Sequence, residues 1–341
     1  MTAARAVLER TRSSIARGRA EDLRLARTMF VAALVAAPSF AGADTPRDAP
    51  TEIEVDRADA PAGRTELGFD GGAPVDGWGV TLSGGWLEGP VVFGLPDGTT
   101  SEPVRRRETA MFGGALALGE SVVVDGRWSF AHQIGDRLRG TGDERALDER
   151  VPGDLRFGVR LRVMARTGGG VFVRGDLALP TGDHGDFAGD AGASLAWRLI
   201  GRANLPHRIV FAASAGLRLR GQEILVADRL VGNEALVAAG IAIPLPPLRP
   251  LWCVDQVKLT VDASAAIGDK VGAGRGPSPA EVRFGVVTQP RPAWTFGVRV
   301  GTGITDEIGS PALRATIEVT YRGDWKLLAI SRDSVDGDSD E

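Results

Sequence analysis

The stretch Leu155-Arg-Phe-Gly-Val-Arg-Leu-Arg-Val163 puts Leu155, Phe157, Val159, Leu161 and Val163 on one face of an extended chain and Arg156, Arg160 and Arg162 on the other. Successive side chains of a β-strand point to opposite faces, so this is a strand with one apolar and one charged side. The same period of two recurs on the C-terminal side of it. At 207–219, Ile209, Phe211, Ala213, Ala215, Leu217 and Leu219 oppose Arg208, Ser214 and Arg218. At 255–267, Val257, Leu259, Val261 and Ala263 oppose Lys258, Thr260 and Asp262; at 293–304, Trp294, Phe296, Val298 and Val300 oppose Thr295 and Arg299. Extending the pattern in both directions predicts about twelve strands: 77–87, 109–118, 121–131, 153–165, 169–179, 190–200, 207–219, 234–243, 255–267, 279–288, 293–304 and 312–321.

Strands of this kind suit a soluble sandwich or a barrel, and the connections discriminate between them. Joins after odd strands are mostly long and polar (88–108, 132–152, 180–189, 220–233, 268–278, 305–311), and joins after even strands are mostly short (119–120, 166–168, 201–206, 289–292), with 244–254 longer. Short turns at one end and long loops at the other are the pattern of an outer-membrane barrel. The predicted fold is therefore all-β, a single antiparallel transmembrane β-barrel of about 12 strands over 77–321. Pairing 77–87 with 312–321 closes it, because lipid leaves no solvent for an unpaired edge. A mean hydropathy of -0.03 agrees, since alternating faces average to neutral. No apolar run of 18 residues exists for a membrane helix.

Upstream of the strands, residues 1–28 carry seven Arg against three acids and precede the uncharged stretch 29–43, which ends in Ala41-Gly-Ala43. A basic region, a short apolar core and a small-x-small site make residues 1–43 a predicted signal peptide with a long basic region, unless synthesis starts at Met29. Residues 44–76, rich in Asp, Pro, Ala and Gly, read as a periplasmic linker or a lumen plug, and 322–341 as an acidic disordered tail. These features predict export from a Gram-negative bacterium into the outer membrane. The expected partners are outer-membrane lipid, the barrel assembly machinery during biogenesis and a small-molecule solute. Loss of residues 1–28 leaves an acidic chain, so nucleic acid is not an expected partner.

Alternation assigns the lumen-facing candidates: Arg156, Arg160, Arg162, Arg174 and Asp176, then Arg218, Lys258 and Asp262, then Glu281, Arg283, Arg299 and Glu318. Asp125, Arg127, Arg198 and Arg314 fall on the same side. Both signs occur with arginine in excess, so a water path through them would favour anions, whereas full pairing would fill the lumen. Trp78, Trp197, Trp252, Trp294 and Tyr321 fall at one end of their strands and Trp86 and Trp128 towards the other, which predicts two aromatic girdles at headgroup level. Only His132, His184 and His207 exist, and there is no Gly-x-Ser-x-Gly elbow, phosphate loop, Rossmann fingerprint or zinc spacing. No catalytic residue, metal site or cofactor is expected. The single cysteine, Cys253, excludes an intrachain disulfide.

At the fifth strand the chain reads Asp176-Leu-Ala-Leu-Pro-Thr-Gly-Asp183, followed by Phe187-Ala-Gly-Asp190. Pro180 lacks an N–H and ends a ladder, and Gly182 permits a tight bend, so Pro180, Thr181, Gly182, Asp183 and Asp190 form a strand-ending loop motif. This motif, with Ser278-Pro-Ala-Glu-Val-Arg-Phe284 and Trp294-Thr-Phe-Gly-Val-Arg-Val300, resembles the outer-membrane β-barrel transporter family named for the MetA pathway of phenol degradation. It also resembles related myxobacterial-type barrels associated with OmpA-like domains. The resemblance spans roughly 153–321. It implies a passive channel for small, hydrophobic or aromatic molecules. The alternative is a non-conducting structural or surface-interaction barrel.

Overall fold

The computed structural model describes residues 77–94, 100–118, 121–136, 149–166, 168–182, 188–190, 192–222, 224–226, 229–246, 257–268, 278–291, 293–305 and 309–323. The predicted signal segment, the stretch 44–76, Trp252, Cys253, Asp183 and the tail beyond 323 lie outside the described residues. The strands are β1 (Gly77–Gly94), β2 (Thr100–Leu118), β3 (Val122–Ile134), a short β4 (Arg150–Pro152), β5 (Leu155–Arg166), β6 (Gly169–Leu179), β7 (Ser194–Asn204) and β8 (Val210–Arg220). They continue with short β9 (Ile224–Val226) and β10 (Arg229–Val231), then β11 (Glu234–Pro244), β12 (Val257–Gly268), β13 (Ala280–Arg291), β14 (Trp294–Gly303) and β15 (Leu313–Gly323).

Twelve of these strands close into one antiparallel barrel. Each long strand pairs with its sequence neighbours, β2 pairs with β3, and β1 pairs with β15, as the sequence predicted. The seam runs from Trp78 opposite Gly323 to Glu88 opposite Leu313, and the Thr81 and Thr320 hydroxyls bond across it at 2.9 Å. Closure pairs each of the twelve long strands on both sides, which is what allows strands to stand in lipid.

Alternation decides the two surfaces. Leu82 at 61% exposure, Phe112 at 60%, Ile317 at 57% and Phe157 at 46% belong to an apolar exterior that runs round the barrel. Such a belt is far larger than the apolar patches of soluble monomers and is the surface of a transmembrane barrel. Inside, Arg160 is 2% exposed, Arg174 4% and Asp262 2%. A few small apolar clusters, such as Ala115, Ala117 and Val123, fill the gaps between the charged rows.

Most joins are short at the end that holds Trp78 and Gly323, the terminal end, with 245–256 longer; the opposite end is the loop end. The expected loop 88–108 is instead largely ladder, because β1 runs to Gly94 and β2 starts at Thr100. Pro90, Pro103 and the register shifts between Glu88, Val91 and Phe93 break the period of two, so this hairpin is not visible as alternation. The strand expected from 207 begins at Val210: His207 and Arg208 have φ of 60° and 61° in a single 3-10 turn, which ends the extended run. The expected loop 220–233 contains the β9–β10 hairpin.

Candidate functional site

One wall of the lumen, formed by β3 to β8, is dominated by arginine. Register places Arg127 opposite Arg156, Arg160 opposite Arg174, and Arg174 opposite Arg198. Like charges facing each other across a ladder need carboxylates between them, and here Asp125 and Asp176 supply these. Arg174 donates through Nη1 and Nη2 to Asp125 at 2.8 and 2.9 Å, and through Nε to both oxygens of Asp176 at 3.0 and 2.9 Å. Arg127 reaches Asp176 at 3.9 Å. Arg160 lies over the Phe172 ring at 5.6 Å. A Cβ at Gly158 would stand 2.3 Å from the Arg174 Nη2 and 2.7 Å from both Asp125 oxygens, so this glycine makes the space in which the pair meets.

The opposite wall, β12 to β15, is paired nearly one to one. Arg283 donates through Nε to Asp262 at 2.7 Å, Arg314 through Nε to Glu281 at 3.0 Å, and Arg299 approaches Glu318 at 3.5 Å. Glycine again seats each stem: a Cβ at Gly301 would lie 2.6 Å from the Arg283 Cγ, and one at Gly285 would lie 2.6 Å from the Arg299 Cγ. The arginines therefore lie along the wall rather than across the lumen. Lys258 faces inward on β12 and is half-buried, and Arg162 does the same on β5.

At the loop end the 179–183 motif becomes a clamp. β6 stops at Leu179, directly before Pro180. Thr181 Oγ1 accepts from the Leu155 N–H at 2.8 Å, and the buried Asp154 carboxylate accepts from the N–H groups of Gly182 at 3.0 Å and Asp190 at 2.9 Å. The Asp190 side chain pairs with Arg220, while Arg220 and Arg218 both reach Glu234, at 3.3 and 3.2 Å. Burial opposes ionisation of Asp190, but Arg220, Arg218 and Arg156 outweigh it and hold this carboxyl below the usual range.

Aromatic side chains gather at both ends. Trp78 and Trp294 flank Tyr321 with centroids at 5.6 and 4.9 Å, and Trp294 stacks on Phe296 at 6.0 Å. At the loop end Trp128 packs on Phe130 at 4.4 Å and donates to the Gly153 carbonyl. Trp197 departs from the predicted girdle. It faces outward near the start of β7, towards the loop end, because β7 begins at Ser194 and runs on through Gly201-Arg-Ala-Asn204.

No family model matches the chain, and no curated protein matches it. Among solved structures, the COG4313 outer membrane channel from Pseudomonas putida F1 is similar over 76% of this chain and 100% of that chain, at 9% identity and a TM-score of 0.52. The fold is that of an outer-membrane β-barrel. The NanC porin (7% identity, TM-score 0.46, 71% of this chain and 98% of that one) and the KdgM porin (8%, 0.43, 71% and 98%) align more loosely.

Of the residues that alternation assigns to the lumen, Arg160, Arg174, Arg218, Asp262, Glu281, Arg283 and Arg299 are buried, and Arg156, Arg162, Asp176, Lys258 and Glu318 are half-buried. Arg107, 1% exposed, donates to Gln133 at 2.6 Å within a stretch read as loops. Asp154 carries no signal in sequence, because a clamp of backbone N–H groups depends on where a distant loop folds. The glycine seats are equally silent until register is known.

Proposed function

We propose that this protein is an outer-membrane channel for small solutes with a preference for anions. The observation that carries the reading is the surplus of guanidinium over carboxylate around Asp176 on the β3–β7 wall, where Arg127, Arg174 and Arg198 all draw on it. A charged ring with one sign in excess lowers the barrier to the opposite ion. The small size of the solute follows from how little of Arg160, Arg174, Asp262 and Arg283 is accessible. Membership of the family named for the MetA pathway is part of this proposal. An aromatic carboxylate would combine that family's expected solute with the charge of this lumen. Outer-membrane lipid and the assembly machinery are its proposed partners.

That low accessibility also favours a second reading, in which the interdigitated pairs fill the lumen and the barrel is structural. One measurement separates the two. The chain from residue 44 onward, refolded in detergent and checked for heat-modifiable mobility, is inserted into planar bilayers under a potassium chloride gradient. Discrete steps with a chloride-selective reversal potential support the channel. A folded barrel without steps supports the filled one.

A further inference from the structure

Arg198, on β7, sits beside Asp176 with part of its donor set unmet. Its Nε is buried and has no hydrogen-bond partner. The carboxylate that acts on it is that of Asp176, while Arg218, Arg174 and Arg127 all repel it. Asp176 is already committed, since Arg174 holds both its oxygens and Arg127 stands 3.9 Å away. The Nε of Arg127 is buried without a partner as well, and Asp125 is held end-on by Arg174. Neighbouring charges do not offset this surplus, because Glu234 is taken by Arg218 and Arg220, and Asp190 by Arg220. Gly216 faces Arg198 across the ladder, and a Cβ there would stand 2.8 Å from the Arg198 Cα and 2.9 Å from its Cγ, so the stem is seated and its position fixed. Unlike Arg127 and Arg174, Arg198 keeps part of its surface accessible.

We propose that Arg198 and Arg127, on either side of Asp176, form a binding site for a small oxyanion within the lumen. Two cations sharing one engaged carboxylate in a barrel interior need a counter-charge, and a guanidinium presents its donors in a planar fork that fits two oxygens of one anion. The expected ligand class is phosphate-like or carboxylate anions rather than halide, because the fork rewards paired oxygens. This rests on the channel reading in one respect, that the anion arrives through the lumen. It makes the passage saturable, with a resting place on the β3–β7 wall.

The test uses inorganic phosphate on the refolded full barrel, by calorimetry in detergent and by block of chloride conductance in bilayers. Phosphate should bind and reduce chloride conductance in the wild type, and R198Q should weaken both by roughly 10- to 100-fold, the effect of losing a charged hydrogen bond. R198K keeps the charge but not the fork, so it should keep chloride preference while losing most phosphate affinity. Phosphate binding that is absent, or equal in wild type, R198Q and R198K, overturns the site even if the channel conducts chloride. A barrel that binds phosphate through Arg198 yet shows no conductance supports the site and removes the channel reading. Heat-modifiable mobility of each variant confirms that the barrel has formed.

Discussion

The two walls of the lumen solve the same problem of burying charge in different ways. On β12 to β15 three inward arginines each have their own carboxylate one or two strands away: Arg283 with Asp262, Arg299 with Glu318, and Arg314 with Glu281 across β14. On β3 to β7 one arginine, Arg174, holds two carboxylates, and the remaining arginines share what is left. A wall of matched pairs is electrically quiet and acts as a frame. A wall in which one cation ties two anions, and Arg127 and Arg198 draw on one of the same anions, is less evenly balanced. On the proposed channel function, the difference puts the frame on one side of the barrel and the selective surface on the other.

The comparison breaks most sharply at Arg174. Arg174→Met strands Asp125 and Asp176 in the interior, and removing one partner of a buried pair costs about 3–5 kcal/mol. The unfolding midpoint of the variant in urea, followed by heat-modifiable mobility, should fall accordingly; an unchanged midpoint would mean that the wall is not organised around this residue. A smaller effect tests the paired wall. Gly301→Ala places a methyl 2.6 Å from both the Arg283 Cγ and the Val282 carbonyl, and overpacking of this kind costs about 1–3 kcal/mol. Gly175→Ala, where nothing lies within 4 Å, should stay within about 0.5 kcal/mol of wild type in the same assay. Equal effects at the two glycines would remove the seating role.

The smallest effect concerns the clamp at the loop end. The Asp190 carboxyl is held below its ordinary value, so its contribution is complete above that value and disappears only as pH falls through the depressed one. If the barrel conducts as proposed, the wild type should show the same low current noise at a pH of about 4, where an ordinary aspartate is half protonated, as at neutral pH. Asp190→Asn should show added current noise at both. A wild type that becomes noisy between neutral pH and that point would remove the Asp190–Arg220 contact as the holder of the loop.

Strand number and closure were legible because both rest on a period of two that Leu155 to Val163 and its counterparts display openly. The β1–β2 hairpin was not, since Pro90, Pro103 and two register shifts hide the alternation of a ladder that is nevertheless made. Trp197 was misplaced by the same cause in reverse: polar residues at 201–204 resemble a turn, although they continue β7. The pairing of charges was out of reach for a different reason. Which carboxylate Arg174 meets depends on the stagger of β3 against β6 through β5, and single-strand patterns carry no stagger. Gly158 shows this most clearly, as its place opposite Asp125 and Asp176 is what gives it a role.

The seam between β1 and β15 has a consequence for how the molecule comes into being. Thr81 and Thr320 touch although they stand 239 residues apart in sequence. Every other pair of neighbouring barrel strands is close in chain order, whereas this junction joins strands from the two ends of the sheet. The sheet must therefore exist for a time as an open ribbon with two bare edges, and the entropy of bringing them together falls in one late step. A barrel of this design therefore concentrates its long-range ordering in one junction, and its two edges can pair with other strands until that junction is made.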